Sequence, residues 1–250
     1  MVKTAVVTGF GINSDKELVQ AFQMAGSDAT PVHITSLLEN PDFLKTQDIL
    51  AFPGGFSYGD HLGSGRVISQ LMKKNLKPAL MEFVAQGKLI IGICNGFQML
   101  VKMGILPNLQ GDWTPETTLV NNEGGCFMDK WVTLRFEDSS PCVWTKGIGL
   151  ADLPIRHGEG RFITRDQSIL QSIKDKNLIA LRYEGGSPNG SEEDLAGLTD
   201  PTGRIFGLMP HPEASVYPEN HPQWRSGSQG PLGLKIFENG VNYMRSAKGI

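Results

Sequence analysis

Cys94 stands in the string Leu89-Ile90-Ile91-Gly92-Ile93-Cys94-Asn95-Gly96-Phe97-Gln98, where an apolar run that reads as a buried strand stops at a thiol set between two glycines. A strand that turns sharply into a helix leaves no room for side chains at the flanking positions and holds its apex residue strained and exposed. A helix over Phe97 to Met103 would aim its N-terminal N–H groups at the sulfur and favour the attacking thiolate. The plainer reading is a small buried core cysteine. Glycines at spacing two on both sides argue against it, because a core strand gains nothing from them.

A nucleophilic thiol needs a base, and the base an orienting group. Arg204-Ile205-Phe206-Gly207-Leu208-Met209-Pro210-His211-Pro212-Glu213 supplies both, as a short apolar strand ending at His211 with Glu213 two residues on. If the segment stays extended, the two side chains point the same way and the carboxylate holds the imidazole tautomer. Prolines 210 and 212 favour that extended backbone. The remaining histidines lack this pairing: His33 falls in an expected strand, and His221 in a Pro-rich loop where it is expected to be solvated.

A third string, Phe52-Pro53-Gly54-Gly55-Phe56-Ser57-Tyr58-Gly59-Asp60, completes a recognisable set. GICNGFQ and MPHPE resemble the motifs of class I (triad) glutamine amidotransferases. GFSYGD and His157-Gly158-Glu159-Gly160-Arg161-Phe162 are similar to the glutaminase components of phosphoribosylformylglycinamidine synthases, which act in purine synthesis. The resemblance covers most of the chain. It implies a flavodoxin-like fold and hydrolysis of glutamine to glutamate and ammonia, with Cys94 attacking the carboxamide carbon, His211 moving the proton and Glu213 orienting His211. Backbone N–H groups of Gly55 and Asn95 would receive the oxyanion, and Gly54 and Gln98 would contribute to glutamine binding. It also implies a synthetase partner carrying ATP and Mg, and a small third subunit. No metal or cofactor is expected on this chain, and no GxxxxGK[ST] phosphate loop occurs in it.

Gly54-Gly55 alone would also suit an ordinary turn, and Gln98 alone a helix-packing position. His157 and Glu159 are expected to be structural or to face the partner, since the triad is complete without them. Arg66 is open between a substrate contact and a helix start. Where the family commonly shows Asn followed by Gly-Arg-Phe, this chain has Asn122-Glu123-Gly124-Gly125-Cys126-Phe127, so Cys126 replaces an expected arginine. Two other classes fit parts of the pattern: a different cysteine hydrolase of the same architecture, against which MPHPE counts, and a non-catalytic regulatory subunit that kept the motifs.

The elements that must position these residues follow from patterning. Strands are expected at Thr4 to Thr8, Ala29 to Ile34, Ile49 to Phe52, before Cys94 and at Ile205 to Met209. Helices are expected at Lys16 to Met24, Val67 to Lys74, Pro78 to Gln86 and Leu232 to Met244. This alternation predicts an α/β fold with a mostly parallel sheet flanked by helices, the functional loops lying at the strands' carboxyl ends. Lys130 to Phe136 and Asn177 to Tyr183 lie in a β-rich stretch, expected as a small antiparallel excursion. Gly185 to Gly197 reads as an exposed loop with solvated charges.

With 250 residues and a formal net charge of −3, the chain suits one domain over 1–250 and carries no basic footprint for nucleic acid. It has no apolar run of about 18 residues for a membrane span and no leader-like start. The three cysteines are an odd number, and with one assigned as nucleophile, free thiols in a cytoplasmic setting are expected rather than a Cys126–Cys142 bridge.

Overall fold

The computed structural model describes residues 1–227 and 232–250. Its strands are β1 (Lys3–Thr8), β2 (Asp28–His33), β3 (Ile49–Phe52), β4 (Leu89–Ile93), β5 (Thr117–Val120), β6 (Met128–Phe136), β7 (Leu150–His157), β8 (Arg161–Thr164), β9 (Ile179–Tyr183), β10 (Leu195–Thr199) and β11 (Ile205–Leu208). Six α-helices accompany them among the described residues: α1 (Asp15–Met24), α2 (Ile34–Glu39), α3 (Arg66–Ala85), α4 (Asn95–Met103), α5 (Gln167–Asp175) and α6 (Leu232–Lys248).

One nine-stranded sheet runs β2-β1-β3-β4-β11-β10-β9-β6-β7. Its first five strands are parallel, with Ile49 opposite Leu89 and Ile205 opposite Ile90. These strands carry near-continuous apolar runs because helices cover both faces; β3, β4 and β11 are buried at every position. From β10 onward the pairing is antiparallel. The expected antiparallel excursion therefore continues the main sheet, and β5 with β8 forms a separate antiparallel pair.

Three local expectations change. The two helical stretches on either side of Asn75 are one helix, α3, with Pro78 inside it. Ile68, Met72, Leu76, Leu80 and Phe83 form one buried stripe across the proline, and that burial outweighs the missing N–H. The expected loop Gly185 to Gly197 ends early, because Leu195 to Thr199 is the fully buried β10. Gly197 reads as loop in sequence, yet it lies in β10 where a Cβ would collide with the Leu181 side chain and come 3.1 Å from Gly207 O. The acids before it are bonded rather than simply solvated: Glu192 accepts from Thr164 N–H at 2.9 Å, and Glu193 pairs with Lys174 at 2.7 Å. His221, too, is largely covered, its ring 4.6 Å from that of Trp131 and its Nε2 3.5 Å from Asp152. His33 closes β2 and caps α2 by accepting from Thr35 N–H at 3.3 Å.

Candidate active site

The thiol is presented by backbone strain. Cys94 sits between β4 and α4 at φ 50° and ψ −105°, a conformation that side-chain-bearing residues rarely adopt. The two elbow glycines are required by close approach. A Cβ on Gly92 would lie 2.6 Å from Gly96 O, and one on Gly96 would collide with Phe52 O at the end of β3. The elbow is thus wedged against the strand that leads into the Gly54-Gly55 turn. Cys94 N–H donates to Leu208 O at 2.8 Å, which ties the elbow to the end of β11, where His211 follows.

The backbone after β11 is not extended as the prolines suggest: Pro212–Ala214 forms a 3₁₀ turn. Proline's fixed φ suits the first position of such a turn, while His211 before it is kept out of the helical region at φ −107° and ψ 83°. The turn still brings the pair together. His211 Nδ1 lies 2.7 Å from Glu213 Oε1, with both residues 4 % exposed, and His211 N–H donates to Pro154 O of β7 at 2.8 Å.

Burial alone would discharge His211. The Glu213 carboxylate and the neighbouring Cys94 sulfur outweigh that effect and hold the imidazolium up to about 10. The sulfur itself donates to Arg156 O at 3.6 Å, and His211 Nε2 has no well-formed hydrogen bond among the described residues. A loose thiol–imidazole contact is common before substrate tightens it. Charge is thereby concentrated on the buried His211–Glu213 pair beside Cys94, at the carboxyl ends of β4 and β11.

Gly54 and Gly55 lie directly opposite. A Cβ on Gly54 would come within 2.8 Å of the His211 ring. Gly55, at φ 153°, bridges Ile12 through its neighbours: Phe56 N–H donates to Gly11 O at 2.8 Å and Asn13 N–H to Gly54 O at 3.3 Å. The Gly55 N–H is left outside this ladder. Asn95 is the first residue of α4, whose N–H has no carbonyl one turn back within the helix. The two backbone donors expected for an oxyanion therefore come from the two turns flanking the thiol.

Gln98 is 3 % exposed and occupied at both ends of its amide. Its Oε1 accepts from Asn95 Nδ2 at 2.8 Å, and its Nε2 donates to Glu159 O at 2.6 Å. It braces α4 against the His157–Arg161 segment, a role nearer to the packing reading than to direct glutamine contact. Arg66 begins α3.

His157 is 2 % exposed, and Asn122 determines its tautomer. Asn122 Nδ2 donates to Cys126 O and His157 O, both at 2.8 Å, while its Oδ1 accepts from Gly160 N–H at 3.1 Å. Facing that oxygen at 3.0 Å, His157 Nδ1 must donate. Burial, and then the charge of His211, depress His157 to about 4. Cys126 is exposed and enters this frame only through its carbonyl, and all three cysteines are free.

Sequence reading passed over two contributors. Arg156 reaches the sulfur through its carbonyl, which leaves no mark in a side-chain pattern. Tyr183, buried at the end of β9, has its phenol pushed above the usual range chiefly by burial. The strand-end position of Tyr183 was the only available hint. Among the described residues no His, Cys, Asp and Glu cluster is arranged to hold a metal ion.

Comparison with known proteins identifies the family. Residues 1–244 match the CobB/CobQ-like glutamine amidotransferase domain. The chain is 43 % identical to the phosphoribosylformylglycinamidine synthase subunit PurQ of Dehalococcoides mccartyi, over 98 % of each chain. It is 40 % identical to the subunit of the same name from Methanococcus maripaludis strain S2, over 96 % of this chain and 97 % of the relative. The structure of PurLQS from Thermotoga maritima superposes with a TM-score of 0.74 at 31 % identity, covering 97 % of this chain and 98 % of that one. A glutamine amidotransferase from Thermotoga maritima, 13 % identical with a TM-score of 0.57, shares the fold. With the motifs, the fold and these full-length matches in agreement, this chain belongs to the CobB/CobQ-like glutamine amidotransferase family, in the branch of the PurQ subunits of phosphoribosylformylglycinamidine synthase.

Proposed function

We propose that the chain is the glutaminase component of a phosphoribosylformylglycinamidine synthase. It hydrolyses glutamine to glutamate and ammonia through a thioester on Cys94. The observation that carries this reading is the strained thiol beside a buried His211–Glu213 pair, faced by the N–H-bearing Gly55 and Asn95 turns. Cys94 attacks the carboxamide carbon. The oxyanion settles between the Gly55 and Asn95 N–H groups, and removal of one such donor costs about 10²- to 10³-fold in rate. His211 gives a proton to the departing nitrogen, then activates the water that cleaves the thioester, while Glu213 holds its orientation. Gly54 leaves room for His211 and for substrate beside it, and Gln98, held between Asn95 and Glu159 O, helps shape the glutamine site.

Ammonia passes to a synthetase partner that binds ATP and Mg and converts formylglycinamide ribonucleotide to formylglycinamidine ribonucleotide, with a small third subunit completing the assembly. Full-length similarity to PurQ subunits and to a chain of PurLQS supports this partnership. A cytoplasmic setting suits three unpaired cysteines, one of them a nucleophile.

The test is intact-protein mass spectrometry after incubation with a diazo-ketone glutamine analogue, followed by peptide mapping. One adduct on Cys94, suppressed by excess glutamine, is expected. A thiol that a small alkylator reaches but the analogue never labels, even with the synthetase added, would overturn the glutaminase reading.

A further inference from the structure

The Asn95 side chain is fully buried, yet none of its polar atoms is spare. Its Oδ1 accepts from Ser57 N–H at 3.3 Å, two residues beyond Gly55. Its Nδ2 donates to Gln98 Oε1 at 2.8 Å and to Asp60 Oδ1 at 3.4 Å. Two acceptors on the nitrogen and one donor on the oxygen leave a single orientation for the amide. Asp60 is itself anchored, accepting from Ser64 Oγ at 2.7 Å. The loop that Asn95 grips is strained, with Tyr58 at φ 55° and Asp60 at φ 53°, so its backbone would relax if released.

The same residue therefore offers its backbone N–H from one turn and bonds the other turn through its side chain. We infer that the Asn95 side chain, with its amide oriented by Gln98 and Asp60, is a positioning strut that sets the separation between the Gly55 and Asn95 N–H groups. This inference rests on the reading of those groups as the oxyanion site. A hydrophobic residue after the thiol would keep its own N–H in place but let the Gly55 turn drift. Such drift matters because a misplacement of about 1 Å at a reacting centre can cost on the order of 10²-fold in rate. The strut acts on the tetrahedral intermediate, where negative oxygen first needs both donors, and little on bound glutamine.

The test compares the wild-type complex with Asn95→Ala and, because that position is fully buried, with Asp60→Ala and Asp60→Asn in the half-buried loop. Glutamate release is expected to show kcat lowered about 10- to 100-fold in Asn95→Ala and several-fold in Asp60→Ala, with KM within about threefold. Asp60→Asn, which keeps an acceptor for Asn95 Nδ2, is expected to recover most of the activity. An aldehyde analogue of glutamine, which forms a tetrahedral adduct on the sulfur, should weaken in parallel with kcat. Glutamine-protected labelling of Cys94 should persist in every variant. Unchanged kcat in folded Asn95→Ala and Asp60→Ala, or equal losses in Asp60→Ala and Asp60→Asn, would overturn the strut. Absence of protected labelling in the wild type would overturn the glutaminase reading instead.

Discussion

The parallel and antiparallel halves of the sheet treat their residues differently. In the parallel half every position of β3, β4 and β11 is buried, and each strand ends in a residue or turn of the site: Gly54, Cys94 and His211. In the antiparallel half β6 is only partly covered and alternates between exposed and buried positions over Thr133 to Phe136, and the end of β7 with the segment after it supplies walls: Arg156 O to the thiol and Glu159 O to Gln98. The reacting groups thus stand on the half whose backbone has the least freedom, and the adjustable frame stands on the other. The contrast teaches that strain at Cys94 is affordable because three packed strand ends oppose its relaxation.

The largest effect should come from the nucleophile. Cys94→Ala is expected to lower glutamine-dependent turnover by roughly 10⁴-fold or more while leaving ammonia-dependent synthesis by the complex intact. Parallel assays with glutamine and with ammonium salts check this, and equal loss of both would place Cys94 in the structure rather than in the chemistry. Glu213→Gln follows, with an expected loss of about 10²- to 10⁴-fold in kcat, since an amide holds the wrong imidazole tautomer. It should also change the alkaline limb of stability. Because His211 is raised in the folded state to about 10, its stabilising contribution is complete below the unfolded value of about 6.5 and is lost as pH rises through 10. Denaturant titrations between neutral and alkaline pH should show a flatter curve for the variant.

Gly96→Ala breaks the parallel half directly, since its methyl would collide with Phe52 O. A loss of about 3 kcal/mol or more, or failure to fold, is expected in thermal or urea unfolding. The frame half should respond to acid. His157 is depressed to about 4, so between about 6.5 and 4 the unfolded chain binds the extra proton and stability falls as pH falls, by up to roughly 3 kcal/mol. His157→Gln should remove most of that acid-side slope in urea midpoints measured over the same range. The smallest effect is expected on the exposed side of β6, where Arg135 meets Glu137 and Glu184 at the surface. Arg135→Ala should shift stability by no more than about 1 kcal/mol, and a larger change would show that the antiparallel half is less tolerant than its exposure suggests.

Much of this organisation could be read without coordinates. Apolar runs ending in Gly-x-Cys, Pro-Gly-Gly and Pro-His-Pro-Glu identified the strand ends that carry the candidate site, because a parallel sheet buried on both faces writes itself as uninterrupted hydrophobic sequence. The less visible parts are those in which the backbone or a distant partner decides. α3 runs through Pro78 because its buried stripe is set by the neighbours it packs against, and Gly197 lies in a strand because Leu181 closes over it. His221 is covered by Trp131, a residue ninety positions earlier, and loop composition carried no sign of that contact.

Residue types and their spacing determined the chemistry available to this chain: a thiol at a glycine-flanked elbow, a histidine with a carboxylate two residues on, and turns able to present N–H groups. These are local properties, and a few covalent neighbours suffice to impose them. Tertiary structure decided how the pieces meet. It bent Pro212–Ala214 into the turn that closes His211 on Glu213, gave the thiol hydrogen to Arg156 O, assigned the His157 tautomer through Asn122, and joined the two N–H-bearing turns through Asn95. Each of those outcomes depends on groups far apart in the chain whose approach is set by burial, and burial is a property of the folded molecule as a whole.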